Sequence, residues 1–291
     1  MNPGLSAAVA GRSGVWNWQA LHVRALPILI VAAGMTFALL QHVAPALLYP
    51  AALVAFLLGI PHGAVERDPL GAPMRGRALS PSVAYSALYL VVGAVVFGAW
   101  LIVPWPTLII ALSLSAWHFA LPAREPWGVG LFVVGACFAA YPQVTLSLFS
   151  VLTGQAASVP DPLLRALGLL GFVALCMAPG ARRDWRVRLA LSALFLLVHP
   201  VAAVATYFLV CHSLGETAAL LDENAGEPVW RTLLRVYGPT SLPALMGASA
   251  LVVATWNGLV LLPIAAGLAV AFIVPHMLPV EQLLRAARKA D

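Results

Sequence analysis

Residues Ala25 to Val43 read ALPILIVAAGMTFALLQHV, nineteen positions without a charge. As a helix rising about 1.5 Å per residue, such a run crosses the hydrocarbon core of a bilayer. It is longer than the apolar part of a signal peptide, no basic start precedes it and no convincing cleavage site follows it, so it reads as a retained span. The pattern then repeats. Apolar runs at 46–64, 82–104, 106–122, 128–150, 162–178, 187–199, 201–221, 242–257 and 259–280 bring the candidate spans to ten. The seventh is short and only His199-Pro200 separates it from the eighth, so the pair reads as two spans, one kinked helix or a re-entrant turn.

Composition agrees with this reading. Of 291 residues, 62% are hydrophobic and 9% charged, whereas a soluble domain carries about 25% charged residues. The mean hydropathy is +0.92. A soluble enzyme is excluded, and unbroken apolar runs argue against an alternating β-barrel pore. The expectation is an all-α, polytopic helical membrane protein with about 8–10 transmembrane helices, in the cell (inner) membrane. Residues 1–291 form one integral membrane domain, with 1–24 a cytoplasmic N-terminal segment and 281–291 a basic cytoplasmic tail.

Charge sets the orientation. With a cytoplasmic N-terminus, fifteen of the sixteen Lys and Arg residues fall on the inner side and only Arg165 lies outside. That split supports an even number of crossings and both termini inside. Pro228 to Tyr237, with Trp230, Leu233 and Leu234 beside Arg231 and Arg235, reads as a short interfacial helix on the inner face. No basic run interleaved with aromatics suggests nucleic acid. The cysteines, Cys137, Cys176 and Cys211, lie in apolar runs without CxxC spacing, so neither a disulfide framework nor a thiolate metal site is indicated.

Depth sorts the seven histidines. His62, His118, His212 and His276 fall near the inner ends of spans two, four, eight and ten, within roughly 15 Å of the inner boundary. His42 and His199 fall at outer ends, and His22 precedes span one, where an interfacial role suffices. His212 and Glu216 stand four residues apart and share a helix face. Ionisable groups inside spans are costly to keep without a role. Imidazoles with a carboxylate suit zinc or iron. His276 follows Pro275 and reads equally as a ligand or as a partner for a carbonyl freed by the kink. Glu66 and Asp68 sit among arginines and read as a loop ion pair as readily as anything else. Trp117, Phe119, Tyr207 and Phe208 suit either packing or an apolar substrate tunnel.

The stretches Gly59-Ile-Pro-His-Gly-Ala-Val-Glu66, Ser115-Ala-Trp-His-Phe119, His199-Pro200 with Tyr207-Phe208 and His212-Ser213, and Val274-Pro-His-Met277 with Glu281 resemble the motifs of the Brp/Blh family. These are membrane β-carotene 15,15′-dioxygenases related to the bacterio-opsin-related protein. The resemblance runs in order over about residues 55 to 281. It implies a non-haem Fe(2+) that splits β-carotene centrally with O2 into two retinal molecules. It also implies His62, His118 and His212 as metal ligands and a rhodopsin as the acceptor of retinal, while His276 stays a further candidate from its depth alone. The chain departs from the family pattern at three positions. Glu216 stands where the family has a second histidine, Glu66 replaces an aspartate, and Ala123 replaces an acidic residue. Glu216 is itself ligand-competent, so the expected set is His62, His118, His212 and Glu216. Two other readings differ in class. One is a transporter or accessory membrane protein using these residues as a proton or metal pathway. The other is a b-type haem protein with two of the histidines as axial ligands.

Overall fold

The computed structural model describes residues 17–61, 81–120, 128–177 and 185–277. These residues are helical almost throughout. The order is α1 (Trp18–Val43), a 3-10 turn (Pro45–Leu47), α2 (Leu48–Gly59), α3 (Pro81–Ile102) and α4 (Pro104–Ala120). Then follow α5 (Gly128–Gly135), α6 (Cys137–Ala140), α7 (Pro142–Thr153), α8 (Asp161–Met177), α9 (Trp185–Leu197) and α10 (Pro200–Thr206). A π-helical segment (Tyr207–Ser213) leads into α11 (Leu214–Glu223), and α12 (Val229–Trp256) and α13 (Leu262–Met277) complete the described chain. This is the all-α polytopic membrane architecture that the apolar runs predict. Among the described residues, Trp18–Val43 and Pro200–Glu223 are by themselves long and apolar enough to cross a bilayer. Two bent helix pairs raise the number to four, and shorter apolar helices accompany them.

α1 shows why these sequences form such helices. It buries Ile30, Gly34 and Phe37 on one stripe and presents Ile28, Val31, Met35 and Leu39 outward. A helix apolar on every face suits a protein core on one side and lipid on the other. Its first amide groups have no carbonyl within the helix to bond. The Asn17 side chain takes the Ala20 N–H at 2.7 Å. Asp222, at the far end of α11, takes those of Trp18 at 2.6 Å and Gln19 at 2.9 Å. The N-terminus of α1 is thereby tied to α11. The helix starts seven positions before the apolar run at Ala25, so His22 lies inside α1 rather than ahead of it.

Three expectations are refined. The run 128–150 is not one straight span: Gly128–Ala140 and Pro142–Thr153 meet at 110°. Pro142 has no N–H to continue the ladder and serves as the first residue of α7. Thr145 Oγ1 donates to the carbonyls of Cys137 at 3.2 Å and Tyr141 at 2.8 Å, which steadies the corner. The segment from Pro228 is helical and runs on into the rest of α12, which bends by 60° between Val229–Gly238 and Ser241–Trp256. At His199-Pro200 the chain breaks between α9, which ends at Leu197, and α10, which starts at Pro200, so no continuous helix runs through this point.

The main core joins α1, α2, α5, α9 and α10 through Ile30, Ala52, Phe132, Val133, Phe195, Ala202 and Ala203, all fully buried or nearly so. Phe132 meets Phe195 edge-on at 5.0 Å and Phe172 at 5.1 Å. Without a hydrophobic drive between helices in lipid, close approach relies on small residues. Gly130 is the sharpest case. A Cβ there would overlap the carbonyl oxygen of Ala116, two residues before His118. Gly130→Ala is therefore expected to force α5 off α4 and cost about 1–3 kcal/mol. Gly98→Ala, where a Cβ meets nothing within 4 Å, should be neutral or stabilising by up to about 1 kcal/mol. Thermal unfolding of both variants in detergent checks the contrast. Equal midpoints would contradict the packing described.

Candidate functional site

The candidate site forms where α4, the π-helical segment and α13 approach one another. α4 delivers His118 in its last turn. α13 delivers His276 directly after the buried Pro275. The π-helical segment delivers His212. His118 and His212 are each 5% exposed. The His118 ring lies 5.1 Å from that of His212 and 5.2 Å from that of His276, edge to face in both cases. Two imidazoles bound to one first-row ion, with bonds near 2.1 Å, stand about 5 Å apart between ring centres. His118 thus has ligand-like spacing to both neighbours, and imidazole is a donor type that suits iron. Among the described residues no group of three His, Cys, Asp or Glu side chains closes around a single point. His62, the remaining imidazole of the expected set, lies outside the described residues, as do Glu66, Asp68, Ala123 and Glu281.

The chain leading to His62 is nevertheless fixed. α2 ends at Gly59 and a turn carries on to Pro61. Ser213, next to His212, donates its hydroxyl to the Gly59 carbonyl at 3.2 Å. Ser241 on α12 donates to the Pro61 carbonyl at 3.5 Å. The motif that holds His62 therefore leaves α2 beside the segment that holds His212. On the α13 side, Ser115 on α4 donates to Met277 Sδ at 3.5 Å. The Tyr89 hydroxyl of α3 donates to the Phe272 carbonyl, one turn ahead of His276. So a side chain from a neighbouring helix bonds one carbonyl in the turn before Pro275.

Aromatic rings wall the histidines. Phe119 meets His212 at 5.1 Å and Tyr207 at 5.4 Å, both edge-on. Phe208 lies nearly parallel to His212, with ring centres 5.9 Å apart. Of the two roles open to these aromatics in the sequence, packing around the imidazoles is observed. Trp117 takes no part in these ring contacts among the described residues.

The other titratable candidates separate. Glu216 sits on the first turn of α11, half-buried, within electrostatic reach of Glu223 and Tyr237. Among the described residues no hydrogen bond or ion pair holds it. Its neighbour Thr217 bonds the Tyr237 hydroxyl at 2.6 Å. His42 and His199 belong to the opposite end of α1. Gln41 accepts the His199 N–H at 2.9 Å and donates to the Leu197 carbonyl at 3.0 Å, and the Tyr49 hydroxyl stands 3.4 Å from His199 Nε2. Twenty residues of helix, about 30 Å, separate His42 from His22. Among the described histidines the division between two ends is thus present, with His42 and His199 at one and His22, His118, His212 and His276 at the other. Sequence reasoning missed two features here, the π-helical segment itself and the contact of His22 with it.

A family model described as Beta-carotene 15,15′-dioxygenase matches residues 53–284. The chain belongs to this family. The match begins within α2, ahead of His62, and ends beyond α13, so every histidine of the site falls inside it. Comparison with curated proteins and with solved structures finds no match. Carotenoid 15,15′-dioxygenation is accordingly the activity of the family.

Gly59 offers a test of the site's packing. A Cβ at this position would overlap the Phe208 ring, the same ring that lies against His212. Gly59→Ala should lower stability by about 1–3 kcal/mol, and Phe208→Leu should relieve most of that cost in the double variant. Thermal midpoints of the two single variants and the double variant measure the coupling, and strict additivity would disprove the contact.

Proposed function

We propose that this protein is a membrane-embedded, iron-dependent oxygenase that cleaves β-carotene at its central 15,15′ double bond to give two molecules of retinal. The observation that carries the reading is the buried His118, flanked at 5.1 and 5.2 Å by His212 and His276 within the family-matched segment. His62, His118 and His212 would hold Fe(2+), with Glu216 as the fourth ligand and His276 beside the set. Bound there, iron supplies a coordination position and the electrons that activate dioxygen.

The protein's own groups have three tasks. His118, His212 and His276 are held by packing on three separate elements, α4, the π-helical segment and α13. Phe119, Tyr207 and Phe208 exclude water and present an apolar wall to a polyene. The bilayer supplies the substrate, because a long hydrocarbon partitions into the same medium as the exposed faces of the helices. When both oxygen atoms enter the products, one in each aldehyde, no external reductant is needed and no nicotinamide or flavin motif is required. The product aldehydes are equally lipophilic, and a retinal-binding rhodopsin in the same membrane would be a fitting acceptor.

Glu216 replaces the histidine that the family pattern places one turn after His212. A carboxylate there lowers the net charge of the donor set and with it the potential of the metal.

Two measurements test this reading. Cells that accumulate β-carotene should lose orange colour and gain retinal when they express the chain. His118→Ala, His212→Ala and His62→Ala should each lower retinal formation by a factor of 100 or more, a magnitude on the order of that for a lost metal ligand or its support. Retinal at the wild-type level in all three variants would refute the assignment. For Glu216, iron content of the purified protein is the readout. Glu216→Gln should weaken iron retention and Glu216→His should restore it. Unchanged iron in both variants would remove Glu216 from the ligand set, and transport of a metal into liposomes without retained iron would favour a carrier instead.

A further inference from the structure

A π-helical segment ends at a cost. Its amides reach back five residues, whereas those of an α-helix reach back four. Where the longer reach gives way to the shorter, one carbonyl is passed over. Here the last five-residue bond runs from the Leu214 N–H to the Leu209 carbonyl, and α11 begins at Leu214. The carbonyl skipped at the changeover is that of the next residue, Val210. Val210 is buried and stands two positions before His212. In a membrane-embedded core no water stands ready to take such a group, and an unsatisfied carbonyl there costs several kcal/mol.

The His22 ring fills that role. Its Nε2–H donates to the Val210 carbonyl at 2.9 Å, which fixes Nε2 as the protonated ring nitrogen. His22 comes from α1, 188 residues away in sequence. Its ring is seated beside Gly215, where a Cβ would stand 3.5 Å from His22 Cε1. The Asp222 bonds to Trp18 and Gln19 hold the same end of α1 against α11. The donor is therefore held in place at its own end as well.

We infer that His22 is a positioning residue for the site: it satisfies the carbonyl released where the π-helical segment reverts to α-helix, and so fixes the widened turn that presents His212. Without the bond, the segment gains by reverting to a regular α-helix. That reversion takes one residue out of the wide turn and rotates everything on one side of it by about 100° relative to the other. His212 could not then keep its ring against both His118 and Phe208. The role differs from that of His118 or His212, because His22 touches neither ring. It extends the proposed function in its effect on iron, but the backbone claim stands apart from any metal.

The test uses the full-length purified protein in detergent or nanodiscs and two variants. His22→Ala removes the donor, whereas His22→Gln keeps an N–H at a similar reach. The first readout is amide hydrogen exchange without metal. Exchange across residues 207–215 should accelerate at least tenfold in His22→Ala and return most of the way in His22→Gln. Wild-type exchange there in His22→Ala would overturn the inference. So would equal acceleration in both variants, since that marks a general packing role for the ring rather than the bond. The second readout is Fe(2+) affinity by chelator competition, where the loss of an outer partner costs about 10–100-fold. His22→Ala should show a loss of that size and His22→Gln a smaller one. If the exchange result holds but wild-type protein takes up no iron, the iron reading fails while the backbone role of His22 is upheld.

Discussion

A polypeptide in lipid has to satisfy its backbone from within, and in this molecule that demand is hardest to meet along Tyr207–Ser213. The wide turn there sets His212 facing His118 and places Phe208 flat against its ring. It also releases a carbonyl that a regular helix would have bonded. The structure meets that debt from α1, through His22. α1 in turn is tied by its first amides to Asp222 on α11. Remove the demand for internal satisfaction and none of these contacts has a purpose. With it, the first helix, the site segment and the end of α11 become one unit.

The same logic recurs on the other side of the site. Pro275 cannot donate to the ladder of α13, and Tyr89 of α3 bonds a carbonyl one turn ahead of His276. In the corner at Tyr141-Pro142, Thr145 takes up two carbonyls. At each of these three places a side chain bonds a carbonyl at or beside the irregularity. Two of these three places adjoin a histidine of the candidate site. The wide turn at Tyr207–Ser213 re-aims the His212 ring by an amount that a regular helix does not offer, and the His22 ring bonds the Val210 carbonyl within it. The small residues serve a complementary purpose. Gly59 and Gly130 let Phe208 and α4 come closer than any side chain would permit.

Much of this was legible in the sequence. Ten apolar runs appear as helical segments in the same order, because length and hydropathy are what a bilayer selects. The grouping of His118, His212 and His276 was legible from depth alone, since each falls within roughly 15 Å of the inner boundary. The 110° corner in the run 128–150 was not foreseen, although Pro142 marks it, because the apolar signal continues unbroken on both sides. The wide turn at Tyr207–Ser213 leaves no periodic trace, since its residues are apolar or aromatic all round. His22 stands ahead of the apolar run and reads as interfacial, yet the helix begins at Trp18, and a carbonyl far along the chain is what gives the histidine its place. Pairings over such separations are set by the tertiary arrangement, and no local pattern announces them. Glu216 remains where sequence put it, one turn beyond His212, and its proposed part in the site rests on the chemistry of a carboxylate.

The central claim is that imidazoles from separate helices bind one iron in this membrane domain. X-ray absorption at the iron edge, on protein purified with Fe(2+) and washed free of excess, tests it most directly. The account predicts close to one iron per chain, with a nitrogen- and oxygen-rich coordination shell and the outer-shell scattering of several imidazole rings. Protein that retains no iron, or iron bound without imidazole scattering, would contradict it.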